Sequence, residues 1–398
     1  MQVRAITLGA HLALADGTLQ LDDRLSAFGQ QARCRFAEAG LDLQTLRLAS
    51  QPFPELVPPD REAVLALAQG LERAGLAAGY EYVSLGPAGP GQLDWASSLA
   101  EALVATERVF GSVAVADRTW GVSLPAVAAA AAVVRALAAR TPEGFGNLRF
   151  AALANCPPGI PFFPAGYHRG ARPAFSVAWE AADLAVEAFT GSGSLEQAEN
   201  RLVELVTGEA RRIASLATIL ADETGVEFQG IDISLAPYPD DARSIGEAIE
   251  RLGVDHFGAP GTLFAASLIT RALRRADVPK TGFSGLMLPV LEDSVLGRRA
   301  AEGTFCLQDL LLWSALCGVG LDVVPLPGDV TEDELKALML DVAALAVALD
   351  KPLIARLMPL PGKQTGESVR FAFPYFAPSV VLPVRGAGAA RLFAREGI

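Results

Sequence analysis

The sequence predicts a single α/β domain in which about ten strands alternate with helices. Apolar runs of strand length, with period-two or continuous β-branched character, recur from end to end. Runs of helical length fill the gaps between them. Such alternation implies parallel strands joined by helical crossovers. No stretch of Gly, Ser or charge marks a linker, so residues 1–398 read as one domain. Gly191–Ser194 is the most flexible internal spot, and the Gly/Ala-rich tail from about 384 is expected to fray.

Taken in order, strands are expected at Val3–Leu8, Thr45–Ala49, Tyr80–Leu85, Ser112–Ala116 and Leu148–Leu153. Five more are expected at Phe175–Trp179, Gly230–Leu235, Gly285–Val290, Asp322–Leu326 and Leu353–Met358. The first clear helix, Asp60–Ala74, begins after Pro58-Pro59 and stops at Gly75, the usual asymmetry of helix ends. Helices follow at Leu99–Val109, Leu124–Ala139, Glu180–Phe189, Ala242–Leu252, Leu263–Ala276 and Leu307–Leu316. Leu195–Thr224 reads as one long helix or as two broken near Gly208. The last, Thr331–Leu349, carries a capping box, with Glu334 three residues after Thr331.

Composition sets bounds on function. Hydrophobic residues make up 51% of the chain and mean hydropathy is +0.32, enough for a large core without disulfides or metals. The formal net charge of -12 argues against nucleic acid, whose phosphates need clustered Lys and Arg. Cys34, Cys156, Cys306 and Cys317 have no C-x-x-C spacing and fit a reducing cytoplasm. No targeting segment is read at the N-terminus. The longest apolar run, Leu124–Val134, is too short for a membrane span of about 20 residues. It suits a helix buried inside the fold or at a contact of a homo-oligomer.

The residues that carry chemistry stand where apolar runs end in Gly/Pro turns. His168 closes a Pro-rich loop and is a candidate general base or metal ligand, or a loop histidine capping backbone groups. Cys156 opens that loop and is a candidate nucleophile beside it. Asp232 lies in the apolar run Gly230–Pro237 and needs a partner, either a substrate or an Arg such as Arg356. Glu292 and Asp293 open a helix. Asp322 and Asp329 bracket a strand and its turn, and with Asp293 are candidate oxygen ligands for Mg²⁺, Mn²⁺ or Ca²⁺. Cys317 sits at a helix end before Gly-Val-Gly. Arg356 and Lys363 flank a Pro-Leu-Pro-Gly turn and are candidate grips for a substrate carboxylate, and Ser284 is a third candidate substrate contact. No nucleotide loop, zincin or nucleophile-elbow motif is present.

The phrases Ala105–Val109, Phe163–His168, Gly230–Pro237, Gly261-Thr262, Gly285–Asp293, Cys317–Asp329 and Arg356–Gly366 together resemble domain-of-unknown-function family 711. The resemblance covers most of the chain. It implies the fold of the glycyl radical enzymes, a ten-stranded β/α barrel built from two parallel five-stranded halves. It also implies a small ACT-domain protein as partner. The radical chemistry does not carry over, because Val384-Arg-Gly-Ala-Gly lacks the Tyr that follows the radical glycine.

Two functions are expected from these readings. One is an enzyme acting on a small, carboxylate-bearing metabolite at the barrel mouth. There His168, Asp232, Glu292 or Cys317 would be catalytic, Arg356, Lys363 and Ser284 would bind substrate, and a divalent cation would assist. The other is a non-catalytic metabolite sensor working with an ACT-domain partner.

Overall fold

The computed structural model describes residues 2–15, 18–386 and 388–397. In chain order its strands are β1 (Gln2–Gly9), β2 (Ala13–Ala15), β3 (Thr18–Gln20), β4 (Leu43–Pro52), β5 (Tyr82–Gly86), β6 (Val109–Asp117), β7 (Gly121–Val122), β8 (Phe150–Ala154), β9 (Ala174–Glu180), β10 (Glu227–Asp232), β11 (Gly320–Pro327), β12 (Leu353–Leu360), β13 (Ser368–Val369) and β14 (Ser379–Val380). The helices are α1 (Asp23–Glu38), α2 (Arg61–Ala77), α3 (Leu93–Val104), α4 (Leu124–Arg140), α5 (Ala182–Phe189), α6 (Leu195–Thr224), α7 (Ile245–Arg251), α8 (Thr262–Arg275), α9 (Ser294–Glu302), α10 (Leu307–Ser314), α11 (Glu332–Ala348) and α12 (Ala390–Arg395).

One large sheet runs in the order β10-β9-β1-β4-β5-β6-β8-β12-β11, with β7 paired to β6. Strands β1, β4, β5, β6 and β8 are mutually parallel, as helical crossovers demand. The sheet reverses at β1/β9 and again at β8/β12, which pair antiparallel. It is therefore mixed, and the expected pair of parallel five-stranded halves is corrected to one such run with two parallel pairs at its flanks. The strand expected at Gly285–Val290 does not form. Ser284 takes a left-handed φ of 43°, and Pro289 has no N–H to give to a ladder. That segment still touches both free edges. Ile231 N–H donates to Pro279 O (2.9 Å) and Leu235 N–H to Gly285 O (3.2 Å). On the other side Gly318 N–H donates to Leu286 O (2.6 Å) and Val290 N–H to Asp322 O (3.3 Å).

Most helices stand where apolar periodicity puts them. Helix α6 is continuous through Gly208, from its Ser194 cap to Gly225 in the left-handed region. Helix α11 carries the expected capping box. Helix α3 lies earlier than expected, because Val109 already begins β6. Helix α1 was not expected. Its polar composition hides an apolar stripe of Leu25, Phe28, Ala32 and Phe36 behind an Asp22 cap. Apolar helix α4 is covered within the fold by α3 and α11. Helix α12 lies in the tail, with Phe393 buried and Ala389 N–H bonded to Asp333 O at 3.1 Å. Tail residues Ala387 and Ile398 lie outside the described residues. No helix among the described residues is long and apolar enough to cross a membrane.

The helices bury one face of the sheet in the main core. The other face is covered by two chain segments. Ala151, Leu153 and Ile354 pack there with Ile160, Ala165 and Phe283, while Ala49 and Phe110 pack with Phe163. Between this inner face and those segments lies the cleft.

Candidate functional site

Two irregular strand pairings supply the charged floor of the cleft. The β1/β9 register slips between Val3 and Ala5, which places Arg4 at a bulge. The β11/β12 register slips between Leu321 and Val324, so Asp322 and Val323 together oppose Arg356. Val323 takes a φ of 42°, a left-handed conformation that costs a β-branched residue dearly. Bulges re-aim side chains beside functional sites.

Arg356 is the hub. Its Nε donates to Asp322 Oδ1 at 2.6 Å and its Nη2 to Glu292 Oε1 at 3.2 Å. Arg4 Nη2 reaches the other oxygen of Glu292 at 2.5 Å. All three members at the centre are buried, with Arg356, Asp322 and Glu292 at 3%, 1% and 6% exposure. Burial pushes both carboxyls up. At Glu292 the two flanking guanidiniums, Arg4 and Arg356, outweigh it and hold the group below its ordinary value. At Asp322 burial wins, opposed by Arg356 and aided by the charge of Glu292, and the pKa is raised. Asp322 Oδ2 accepts no hydrogen bond among the described residues.

A cavity of about 100 Å³ opens above this network. Three guanidiniums line it: Arg4, Arg47 and Arg356. Arg4 and Arg356 are paired as above. Arg47 has no carboxylate partner among the described residues. Its Nε donates to Thr45 Oγ1 at 3.0 Å, and its guanidinium carbon lies 5.5 Å from the Phe163 ring and 5.9 Å from Tyr82. Burial, with Arg4 and Arg356 adding repulsion, lowers its pKa to about 10. The cation nonetheless stays charged at neutral pH and faces the cavity.

The expected site residues divide sharply. Arg356, Glu292, Asp322 and Asp232 line the cleft. Asp232 is consumed by structure: Oδ1 accepts from Ser234 N, Ser234 Oγ and Ser284 N, and Oδ2 from Phe283 N. Its expected partner Arg356 binds Asp322 and Glu292 instead. Ser284 donates to Thr281 O at 2.6 Å and shapes the same turn. Asp293 is a buried clamp, accepting from the backbone of α9 and from Ser244 and Ile245 at the start of α7. It has no lone pair left for a metal. Asp329 stands exposed in the turn after β11. The three acids expected to share a cation do not converge, and among the described residues no cluster of three His, Cys, Asp or Glu does.

His168 is at the other end of the strands. Its backbone N–H donates to Ser50 O near the end of β4, its Nε2 lies 3.1 Å from Gly170 O, and it packs on Gly9 at the end of β1. The cleft opens instead at the beginnings of those strands, beside Arg4 and Thr45. The expected pairing of His168 with the cleft acids is thereby corrected. Burial lowers its pKa and favours a neutral ring. Cys156 gives its thiol to Ala154 O and Leu353 O, and burial pushes it up to about 12, unsuited to a nucleophile. Cys317 is buried in the main core, away from the cleft. Lys363 is exposed in the turn after β12 and lines no part of the cleft.

The residues that sequence reasoning missed are Arg4, Arg47, Tyr82 and Tyr375. A signal for the first two was present, since each is a lone charge in a strand-like run, as Arg356 is.

Residues 1–374 match the family model described as Uncharacterised ACR (DUF711). The chain belongs to this family. A UPF0210 protein of Pyrobaculum arsenaticum is 33% identical over 92% of this chain and 87% of its own length. One from Desulforudis audaxviator is 32% identical over 100% of this chain and 94% of its own. One from Lacticaseibacillus casei is 28% identical over 90% and 81%. All three carry the same name, which assigns no activity.

Proposed function

We propose that the cleft binds a small carboxylate-bearing metabolite on Arg47 and moves a proton at Asp322. The observation that carries this reading is Arg47 itself. A partly buried guanidinium held between two rings without an acid is costly unless a ligand supplies the charge. A carboxylate is the planar, bidentate match. Asp322 adds a carboxyl with raised pKa and one oxygen free of protein donors, poised for general acid–base work. In this reading residues 279–290 act as the tenth stave of a closed barrel around the cleft. The support is their hydrogen bonds to the β10 side and the β11 side.

The second reading, ligand sensing with an ACT-domain partner, draws on His168. Its place beyond the opposite strand ends leaves the cleft without the histidine expected to share proton transfer.

One experiment separates the two. The protein is incubated in D₂O with a panel of small carboxylic acids and followed by NMR. The enzyme reading expects saturation transfer to a bound acid, lost in Arg47→Met, and deuterium entering that acid, lost in Asp322→Asn. Binding without exchange favours the sensor. No Arg47-dependent binding to any acid removes both.

A further inference from the structure

We propose that the cleft selects a monocarboxylate carrying a flat apolar body, an aryl-substituted carboxylic acid, and that Tyr375 reads that body. This rests on the reading of Arg47 as the anion site and goes on to name the rest of the ligand.

The charge count limits the ligand to one negative group. Two of the three cleft guanidiniums are already spent on Glu292 and Asp322. A second carboxylate, or a phosphate dianion, would have to lie against those acids. Like charges at such range in a poorly solvated site repel strongly. Arg47 alone is open, and it suits one carboxylate.

The walls define the body. Phe162 and Phe163 enter from the loop after β8, and Tyr82 from the start of β5. Phe373 and Tyr375 face them from the segment between β13 and β14. Rings prefer tilted or edge contact with another ring, and such pairs exceed simple area burial. The protein's own rings already adopt that geometry: Tyr375 stands at 88° to Tyr238, centroids 5.9 Å apart, and at 61° to Phe373, 5.2 Å apart. The Tyr375 hydroxyl makes no hydrogen bond among the described residues. It is a donor left over at the edge of an apolar wall. A sugar would need many polar partners on these walls. The one amide there, Gln44, already donates to Glu180 and Gln2.

Size agrees. The cavity of about 100 Å³ compares with roughly 10–15 Å³ for one water on the same measure, so it holds a ring with a short acid arm but no large cofactor.

The test is binding of phenylacetate, propionate, succinate and phenyl phosphate to the full chain by calorimetry, with Arg47→Met and Tyr375→Leu alongside. Phenylacetate should bind at least about tenfold more tightly than the other three. Arg47→Met should abolish its binding. Tyr375→Leu, which removes the ring, should weaken it severalfold while leaving propionate unchanged. If succinate, propionate or phenyl phosphate matches phenylacetate and Arg47→Met still removes all binding, the aryl class is overturned and the anion site stands. If no acid binds, or Arg47→Met binds as wild type does, the anion site falls and this inference with it. Circular dichroism of both variants confirms that a loss is not unfolding.

Discussion

Arg356 Nε donates to Asp322 Oδ1 across 2.6 Å at a strand bulge, in a position almost closed to solvent. The same guanidinium also holds Glu292, which it shares with Arg4, so Arg356 bridges two buried acids and is the sole cation on Asp322 among the described residues. Removing it leaves charge without compensation, which costs more than the intact pair contributes.

Arg356→Met should therefore destabilise the fold by about 3–5 kcal/mol at neutral pH. The sign of its pH dependence follows from Asp322. A carboxyl whose folded pKa is raised loses stability as pH climbs through its unfolded value near 3.8 towards the folded one. Losing Arg356 raises that folded pKa further. Urea melts should show a smaller deficit at pH 5 than at pH 7, and partial rescue by Asp322→Asn in the same chain.

Arg47 should behave oppositely. It has no acid to abandon and carries a desolvation cost, while Met preserves its stem packing on Phe163. Arg47→Met should keep stability within about 0.5 kcal/mol of wild type or raise it. The residue thus fits a stability–function trade-off, and a thermal melt beside a binding titration checks it.

Glu199 joins α6 to α8 through Arg271 and Arg275, at 2.5 and 3.0 Å. The Arg271 hydrogen bonds, then Arg275, outweigh partial burial and bring its pKa down to about 2. A depressed carboxyl stabilises above its unfolded value near 4.5, and the gain fades as pH falls towards 2. Both arginines are about half exposed, so the gain is modest. Glu199→Gln should cost about 1 kcal/mol at pH 7. The gap between the two melting curves should close between pH 4.5 and pH 2.

Two glycines test the backbone. A Cβ at Gly285 would lie 2.8 Å from Gly318 Cα, where residues 279–290 pass beside the start of β11. Gly285→Ala should destabilise by about 1–3 kcal/mol. Gly208 is exposed in the middle of α6 with open space around it. Gly208→Ala should stabilise by about 0.5–1 kcal/mol, whereas a helix break there would make it harmful.

How far these residues were legible in sequence depended on the physics behind each. Nine of the ten expected strands formed, because strands buried on both faces read as continuous apolar runs of strand length. Gly285–Val290 misled because it is apolar yet carries Gly285 and Pro289, and its pairing is carried by isolated bonds rather than a ladder. Arg356 was legible as a charge inside an apolar strand. Arg4 and Arg47 bear the same mark, but flanking polar residues such as Gln2 and Thr45 make their strands read as half-solvated. The bulge that aims Asp322 leaves no signature, since a valine at positive φ cannot be foreseen. His168 was assigned to the site on the rule that loops after strands carry chemistry. In a mixed sheet, carboxyl ends occur at both rims, so the rule does not say which rim. Asp293 and Asp232 illustrate a second limit. A buried carboxylate needs donors, but sequence does not say whether backbone N–H groups or a ligand will supply them.

The most direct test of the central claim is a crystal structure of the full chain soaked with phenylacetate. The account predicts a carboxylate paired with both terminal nitrogens of Arg47, the ring between Phe163 and Tyr375, and Arg356 still on Asp322 and Glu292. A structure with Arg47 turned onto a protein acid and the carboxylate bound elsewhere, or not at all, would contradict it.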